Sequence, residues 1–252
     1  MRALILSDIH DNLPAFEAVV AAAPHYDAVW NLGDIVGYGA NPNEVVDLVR
    51  QLGGIVIRGN HDRACSGLMH FSEFRDFNSI ASYAAAWTQE ALSDENKKWL
   101  SSLSRDVGSL RLNMLFVHGA PHFEDHYIVG ERDARAALKT TSARIVFYGH
   151  THLQEGWAAT GHNPARVRPQ FQSHSEPEQF EMPLRRECRY LVNPGSVGQL
   201  RDGDWRAAFA VYDDAQALLS WYRVSYKLIT AQRRIRRAGL PEFLATRLRE
   251  GK

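Results

Sequence analysis

RALILSDIHDNLP, residues 2–14, begins in an apolar run and ends in metal-ligating side chains. Ala3-Leu4-Ile5-Leu6 reads as a buried strand, and Asp8-Ile9-His10 follows it at once. Asp11-Asn12-Leu13-Pro14 then leads into an amphipathic helix over roughly 15–23, since Pro14 suits a first helical turn, where its missing N–H costs nothing. The same order recurs down the chain. Ala28-Val29-Trp30 precedes Gly33-Asp34, and Ile55-Val56-Ile57 precedes Gly59-Asn60-His61-Asp62. Met114-Leu115-Phe116-Val117 precedes His118-Gly119, and Ile145-Val146-Phe147 precedes Gly149-His150-Thr151-His152. Buried strands that each end in a carboxylate, carboxamide or imidazole gather those groups at one edge of a sheet.

The first sixty residues thus read as βαβαβ. Asn41-Pro42-Asn43 opens a second helix, and Gly53-Gly54 breaks it before the third strand. Helices of about ten residues between strands imply parallel, right-handed crossovers. Helical periodicity covers 79–92, and Ser93-Asp94-Glu95 caps a further helix over 97–103. Strands are expected at 111–117 and 144–148, then at 190–192, 207–212 and 218–224. Two short helices, split at Gly239-Leu240-Pro241, fill roughly 227–250. Residues 153–188 mix Gly, Pro, Ser and charges, and read as a long, partly mobile excursion with one hairpin.

A chain of 252 residues suits one domain over 1–252, and 45% hydrophobic with 23% charged residues leaves material for a sizeable core. The formal charge is zero, so no global basic field draws in nucleic acid. Cys65 and Cys188 form no C-x-x-C pattern and are expected as free thiols in a reducing compartment. Nothing resembles a signal segment or the roughly 20 apolar residues of a membrane span, so the expectation is a soluble, cytoplasmic protein.

Two divalent ions about 3.5–4 Å apart need one carboxylate to bridge them, and Asp34 is the natural candidate. Asp8 and His10, two apart on an extended strand end, face one side, and His152 completes a first set. Asn60, His118 and His150 form a second. Imidazole donors suit Mn, Fe, Zn or Ni, manganese being the first expectation. Two dications, two aspartates and a bridging hydroxide leave roughly one positive charge for a phosphoryl oxygen. The hydroxide would attack phosphorus in line, with His61 protonating or stabilising the leaving oxygen and Asp62 orienting that imidazole and raising its pKa.

These blocks resemble the calcineurin-like metallophosphoesterase superfamily, whose pattern is D-x-H, G-D, G-N-H-[DE], H and G-H-x-H. The resemblance implies a four-layer αββα sandwich of two mixed sheets, with Asp8, His10, Asp34, Asn60, His118, His150 and His152 on two metals and His61 as the catalytic imidazole. Within the superfamily the chain is similar to a compact bacterial and archaeal phosphodiesterase group, on Ser7–Leu13, Gly33–Gly39, Asn193–Gly198 and Arg201–Gly203. Gly37-Tyr38-Gly39 stands where protein phosphatases carry an arginine, which argues against a phosphoprotein site. Asp11 stands where the group more often has glycine.

The expectation is therefore a dimetal phosphodiesterase acting on a small phosphodiester or nucleotide. A non-catalytic scaffold of the same fold and a nuclease are the alternatives, and self-association stays open. Tyr38 and Arg201 are further candidates for phosphate contact, and Asn12 for support of the first ligand loop. His70, His122, His126, His162 and His174 fall outside the motifs. The basic run 233–237 reads as a solvated helix face. Phe71, Phe74, Phe77, Tyr83 and Trp87 read as helix core or a lip over the site.

Overall fold

A computed structural model describes residues 1–70, 78–109, 112–161 and 163–252. Phe71, Phe74, Phe77 and His162 lie outside the described residues, as does the start of the strand expected at 111. The described residues form strands β1 (Arg2–Leu6), β2 (Ala28–Asn31), β3 (Ile55–Val56), β4 (Asp106–Ser109), β5 (Met114–Val117) and β6 (Ile145–Phe147). They continue as β7 (Gln154–Thr160), β8 (Asn163–Val167), β9 (Glu178–Pro183), β10 (Arg189–Pro194), β11 (Ala207–Asp213) and β12 (Leu218–Val224). The helices are α1 (Leu13–Ala22), α2 (Pro42–Leu52), α3 (Asn60–Cys65), α4 (Ser79–Ala91), α5 (Asp94–Ser101), α6 (Glu131–Lys139), α7 (Leu228–Arg237) and α8 (Glu242–Glu250).

The strands make two mixed sheets, ordered β3-β2-β1-β11-β12-β9 and β4-β5-β6-β10-β7-β8. Within them β1, β2 and β3 run parallel, as do β5, β6 and β10. Alternation along β1 sorts the layers. Ala3 and Ile5 face Phe116, Phe147, Tyr190 and Val192 of the other sheet, while Leu4 and Leu6 face helix residues such as Phe16 and Val45. On the far side of the second sheet, Val146, Trp157 and Leu191 pack on Ala134, Ala137 and Leu138 of α6. The four-layer αββα sandwich is the observed fold.

The segment 153–188 departs from the expectation of an excursion with one hairpin. β7 and β8 do form a hairpin, but β7 also pairs with β10, and β9 crosses to the opposite sheet to pair with β12. As edge strands, β8 and β9 keep polar side chains on one face, which hid them in the sequence. α6 and β4 were likewise unanticipated.

Trp221 joins the core to the site. It is fully buried between the sheets and donates from Nε1 to the Asn193 carbonyl at 2.8 Å, while the Asn193 side chain donates to the Gly149 carbonyl and Thr151 Oγ1 at 2.9 and 3.0 Å. Trp221→Phe leaves that carbonyl without its donor and is expected to lower unfolding free energy by about 1–3 kcal/mol. Urea denaturation measures it, and an unchanged midpoint would contradict the assignment.

Candidate metal centre

Every expected donor stands just beyond the C-terminal end of a parallel strand: Asp8 and His10 after β1, Asp34 after β2, His118 after β5, His150 and His152 after β6. Asn60, beyond β3, opens α3. The loops lace together through their backbones. Asp8 N donates to Gly33 O and His10 N to Asp34 O, at 3.0 and 3.1 Å, and Gly198 N donates to Asp8 O at 3.0 Å. Gly33, at φ 92°, brings its loop so close to the next that an added Cβ would lie 2.5 Å from Gly59 N. Asp8, His10, Asp11, Asp34, Tyr38, His150 and His152 themselves carry φ between 49° and 73°. Left-handed backbone costs a residue other than glycine about 1–2 kcal/mol, so this edge concentrates strain.

Asp11 shows how one such residue is held. Its Oδ2 accepts from Gly37 N at 2.7 Å and Thr88 Oγ1 at 3.2 Å, which fixes the side chain, while burial pushes its acid group well above the usual carboxylate range. Asn12 has the supporting role expected of it, donating from Nδ2 to Gly198 O at 2.8 Å and capping α1 through Oδ1.

The ring nitrogens define the chemistry. Nδ1 of His10, His118 and His152 faces the carbonyl of Val36, Leu32 and Gln199 respectively. In the neutral form of each ring Nδ1 therefore holds the proton and Nε2 turns a lone pair inward. His10 Nε2 and His152 Nε2 then face one another at 3.2 Å, with Asp8 Oδ1 3.3 Å from His152 Nε2 and Asp34 Oδ2 3.6 Å from His10 Nε2. His118 Nε2 lies 3.3 Å from the same Asp34 Oδ2 and 3.2 Å from Asn60 Oδ1. His150 engages the Asp125 carbonyl through Nε2 at 3.1 Å, so Nδ1 is the atom it offers. Two buried clusters of acceptors thus share Asp34, and Asp8 Oδ1 lacks any hydrogen-bond partner. Lone pairs so placed fit cations, and the mixed N,O donor set fits first-row divalent metals.

The protonation equilibria agree. Burial pushes His10, His150 and His152 well below the usual imidazole range. Burial opposes protonation of His118 too, but Asp34, Asp8 and the Leu32 carbonyl carry it up to about 10, while burial raises Asp8 to about 7. A proton there occupies the place a cation would take.

His61 opens into the same cleft, its ring centroid 4.5 Å from that of Tyr38 and 4.9 Å from that of His10. Asp62 corrects an expectation. Its Oδ1 accepts from Ile35 N and Val36 N, at 2.9 and 3.2 Å, and its Oδ2 from Gly59 N at 2.8 Å. The carboxylate clamps two ligand loops, and no raising of His61 follows from it. Burial, with Arg201 and His118, lowers that imidazole to about 4.

Sequence models of known families place the fold. The model described as calcineurin-like phosphoesterase superfamily domain matches residues 1–215. The chain belongs to the calcineurin-like phosphoesterase superfamily. It is 30% identical over 260 residues to the uncharacterized protein MJ0912 of Methanocaldococcus jannaschii, covering 97% of this chain and 96% of that one. A metallophosphoesterase from Sphaerobacter thermophilus superposes with a TM-score of 0.85 at 37% identity, over 100% of this chain and 99% of that chain. The hypothetical protein PH1004 from Pyrococcus horikoshii shares the fold, with a TM-score of 0.77 at 19% identity over 100% and 98%. As a calcineurin-like phosphoesterase the chain has the framework of a phosphoester hydrolase, and its Asp/His cluster fits divalent metal. No helix among the described residues is long and apolar enough to cross a membrane.

Among the other candidates, His126 faces Asp133 at 3.5 Å and meets His122 at a tilt, ring centroids 5.0 Å apart, while His70 and His174 are exposed. In the basic run, Arg234 reaches Asn41 Oδ1 and Arg236 pairs with Glu242 on α8. Tyr127, stacked on His150 at 3.9 Å, was not anticipated, since only the fold brings it there.

Loading metal-free protein with manganese at pH 7.5 is expected to release protons, mainly from His118. Affinity should fall as pH drops, because protonated His118 and Asp8 lose the lone pairs that bind. Uptake without proton release, measured with an indicator dye, would contradict this geometry.

Proposed function

We propose that this protein is a phosphodiesterase working with two divalent ions, manganese foremost, on a small phosphodiester or nucleotide. The observation that carries the reading is the pair of acceptor clusters sharing Asp34 Oδ2, with His61 beside them in one cleft. Asp8, His10 and His152 would hold one ion, and Asn60, His118 and His150 the other. When bound, the ions would supply Lewis-acid polarisation of the phosphoryl group and acidify a water to a pKa of about 7.

The chain's own residues do the rest. His61 is neutral at working pH and directs a ring N–H toward the leaving oxygen, whose charge grows as the ester bond breaks. Asp34 holds the loop bearing that imidazole, accepting from His61 N through Oδ1 at 2.8 Å. Asp62 fixes the loop from its other side and acts as a positioning residue. Gly37-Tyr38-Gly39, in place of a protein phosphatase arginine, supports a small substrate over a phosphoprotein.

Bis(p-nitrophenyl) phosphate and p-nitrophenyl phosphate, assayed after chelation and reloading with manganese, test the reading. Turnover of the diester is expected to require metal, and His61→Ala to lower kcat by ~10²–10⁴-fold with metal content retained. Metal-independent turnover, or a fully active His61→Ala, would sink it.

A further inference from the structure

The metal cleft shares Arg201 with a larger neighbouring cleft, which encloses about 1110 Å³ of solvent-open space between the start of β7, the 168–174 segment and the 201–206 loop. The arginines around it are neutralised by carboxylates. Arg206 pairs with Asp204 and Glu178, at 2.6 and 3.0 Å, and Arg223 pairs with Asp202. Arg201 differs: among the described residues no Asp or Glu side chain pairs with it, and its Nε is buried without a hydrogen-bond partner.

A second guanidinium stands close by. Arg247 of α8 lies 5.8 Å over the ring of Tyr38, the same ring that packs on His61 and His10. Arg247 donates from Nε to the Lys252 carbonyl, and Arg201 donates from Nη2 to Gln199 Oε1 at 3.4 Å. No Asp or Glu side chain pairs with Arg247 either, among the described residues. Burial and Arg201 lower it only to about 10, so it is charged at neutral pH. Two guanidiniums without an Asp or Glu partner among the described residues, one lining the metal cleft and one over its Tyr38, are matched to an anion. A simple diester brings one negative charge, which two dications with two aspartates and a bridging hydroxide would already balance, so the arginines exceed what such a substrate needs.

We propose that Arg201 and Arg247 form an anion site beside the metals, and that the substrate carries a second negative charge on or next to the scissile phosphorus. A phosphoanhydride supplies it while leaving that phosphorus doubly substituted, and a phosphomonoester supplies it on the same phosphorus. The substrate class rests on the phosphoesterase reading above; the anion site does not.

Arg201→Gln and Arg247→Gln test both parts. In kinetics with ATP, p-nitrophenyl phosphate and bis(p-nitrophenyl) phosphate, each variant is expected to lose at least about tenfold more kcat/KM on one doubly charged substrate than on the singly charged diester. Whichever of ATP and the monoester shows the loss identifies the source of the charge. Equal losses on all three would overturn the proposal. Calorimetry on the protein as purified, with inorganic phosphate against dimethyl phosphate, reads the site without turnover. A preference for inorganic phosphate that shrinks about tenfold in each variant and returns in Arg201→Lys and Arg247→Lys supports the site. The absence of such a preference, or one unmoved by the variants, overturns it. If no substrate is turned over while that preference holds, the phosphoesterase reading fails and the anion site stands.

Discussion

Buried imidazoles and carboxylates that converge on one shared aspartate, Asp34, are the constraint around which this molecule is arranged. An imidazole offers a lone pair in a fixed direction only if its other nitrogen is committed, and here carbonyls of Val36, Leu32 and Gln199 commit three of them. Those carbonyls belong to the loops after β2 and β10. The ligand loops therefore orient one another, and none has a defined site alone. Burying Asp8 and Asp34 without a counter-charge costs several kcal/mol, which a bound cation offsets.

The sandwich carries that cost. Apolar faces of both sheets close over Phe116, Phe147 and Trp221, and the stability they provide lets the C-terminal edge hold seven residues in left-handed backbone. Close approaches do the rest. Gly149 lies where an added Cβ would meet Ser7 Oγ at 1.9 Å, so the β6 loop can bring His150 and His152 down beside Asp8. His150 N in turn donates to Asp8 Oδ2, which leaves Oδ1 for the cluster.

Much of this was legible in the sequence, because the strand-then-donor blocks are local: each ligand follows its own apolar run, and parallel pairing brings the run ends together. What was not legible depends on contacts distant in sequence. β9 pairs with β12 across an interval of 35 or more residues, and its half-polar face carries no signal of that partner. Asp62 looked like a partner for the adjacent His61, yet the start of α3 turns its carboxylate to the amides of Gly59, Ile35 and Val36. Arg247 lies on the last helix outside any motif, and only the packing of α8 brings it over Tyr38.

The central claim is that Asp34 joins two cation positions in one chain. Metal analysis of chelated and manganese-reloaded protein, beside Asp34→Asn, tests it most directly. The account predicts close to two ions per chain in the native protein and loss of both sites in the variant, since Oδ2 serves each cluster. One ion per chain, or an Asp34→Asn variant that retains two, would contradict it.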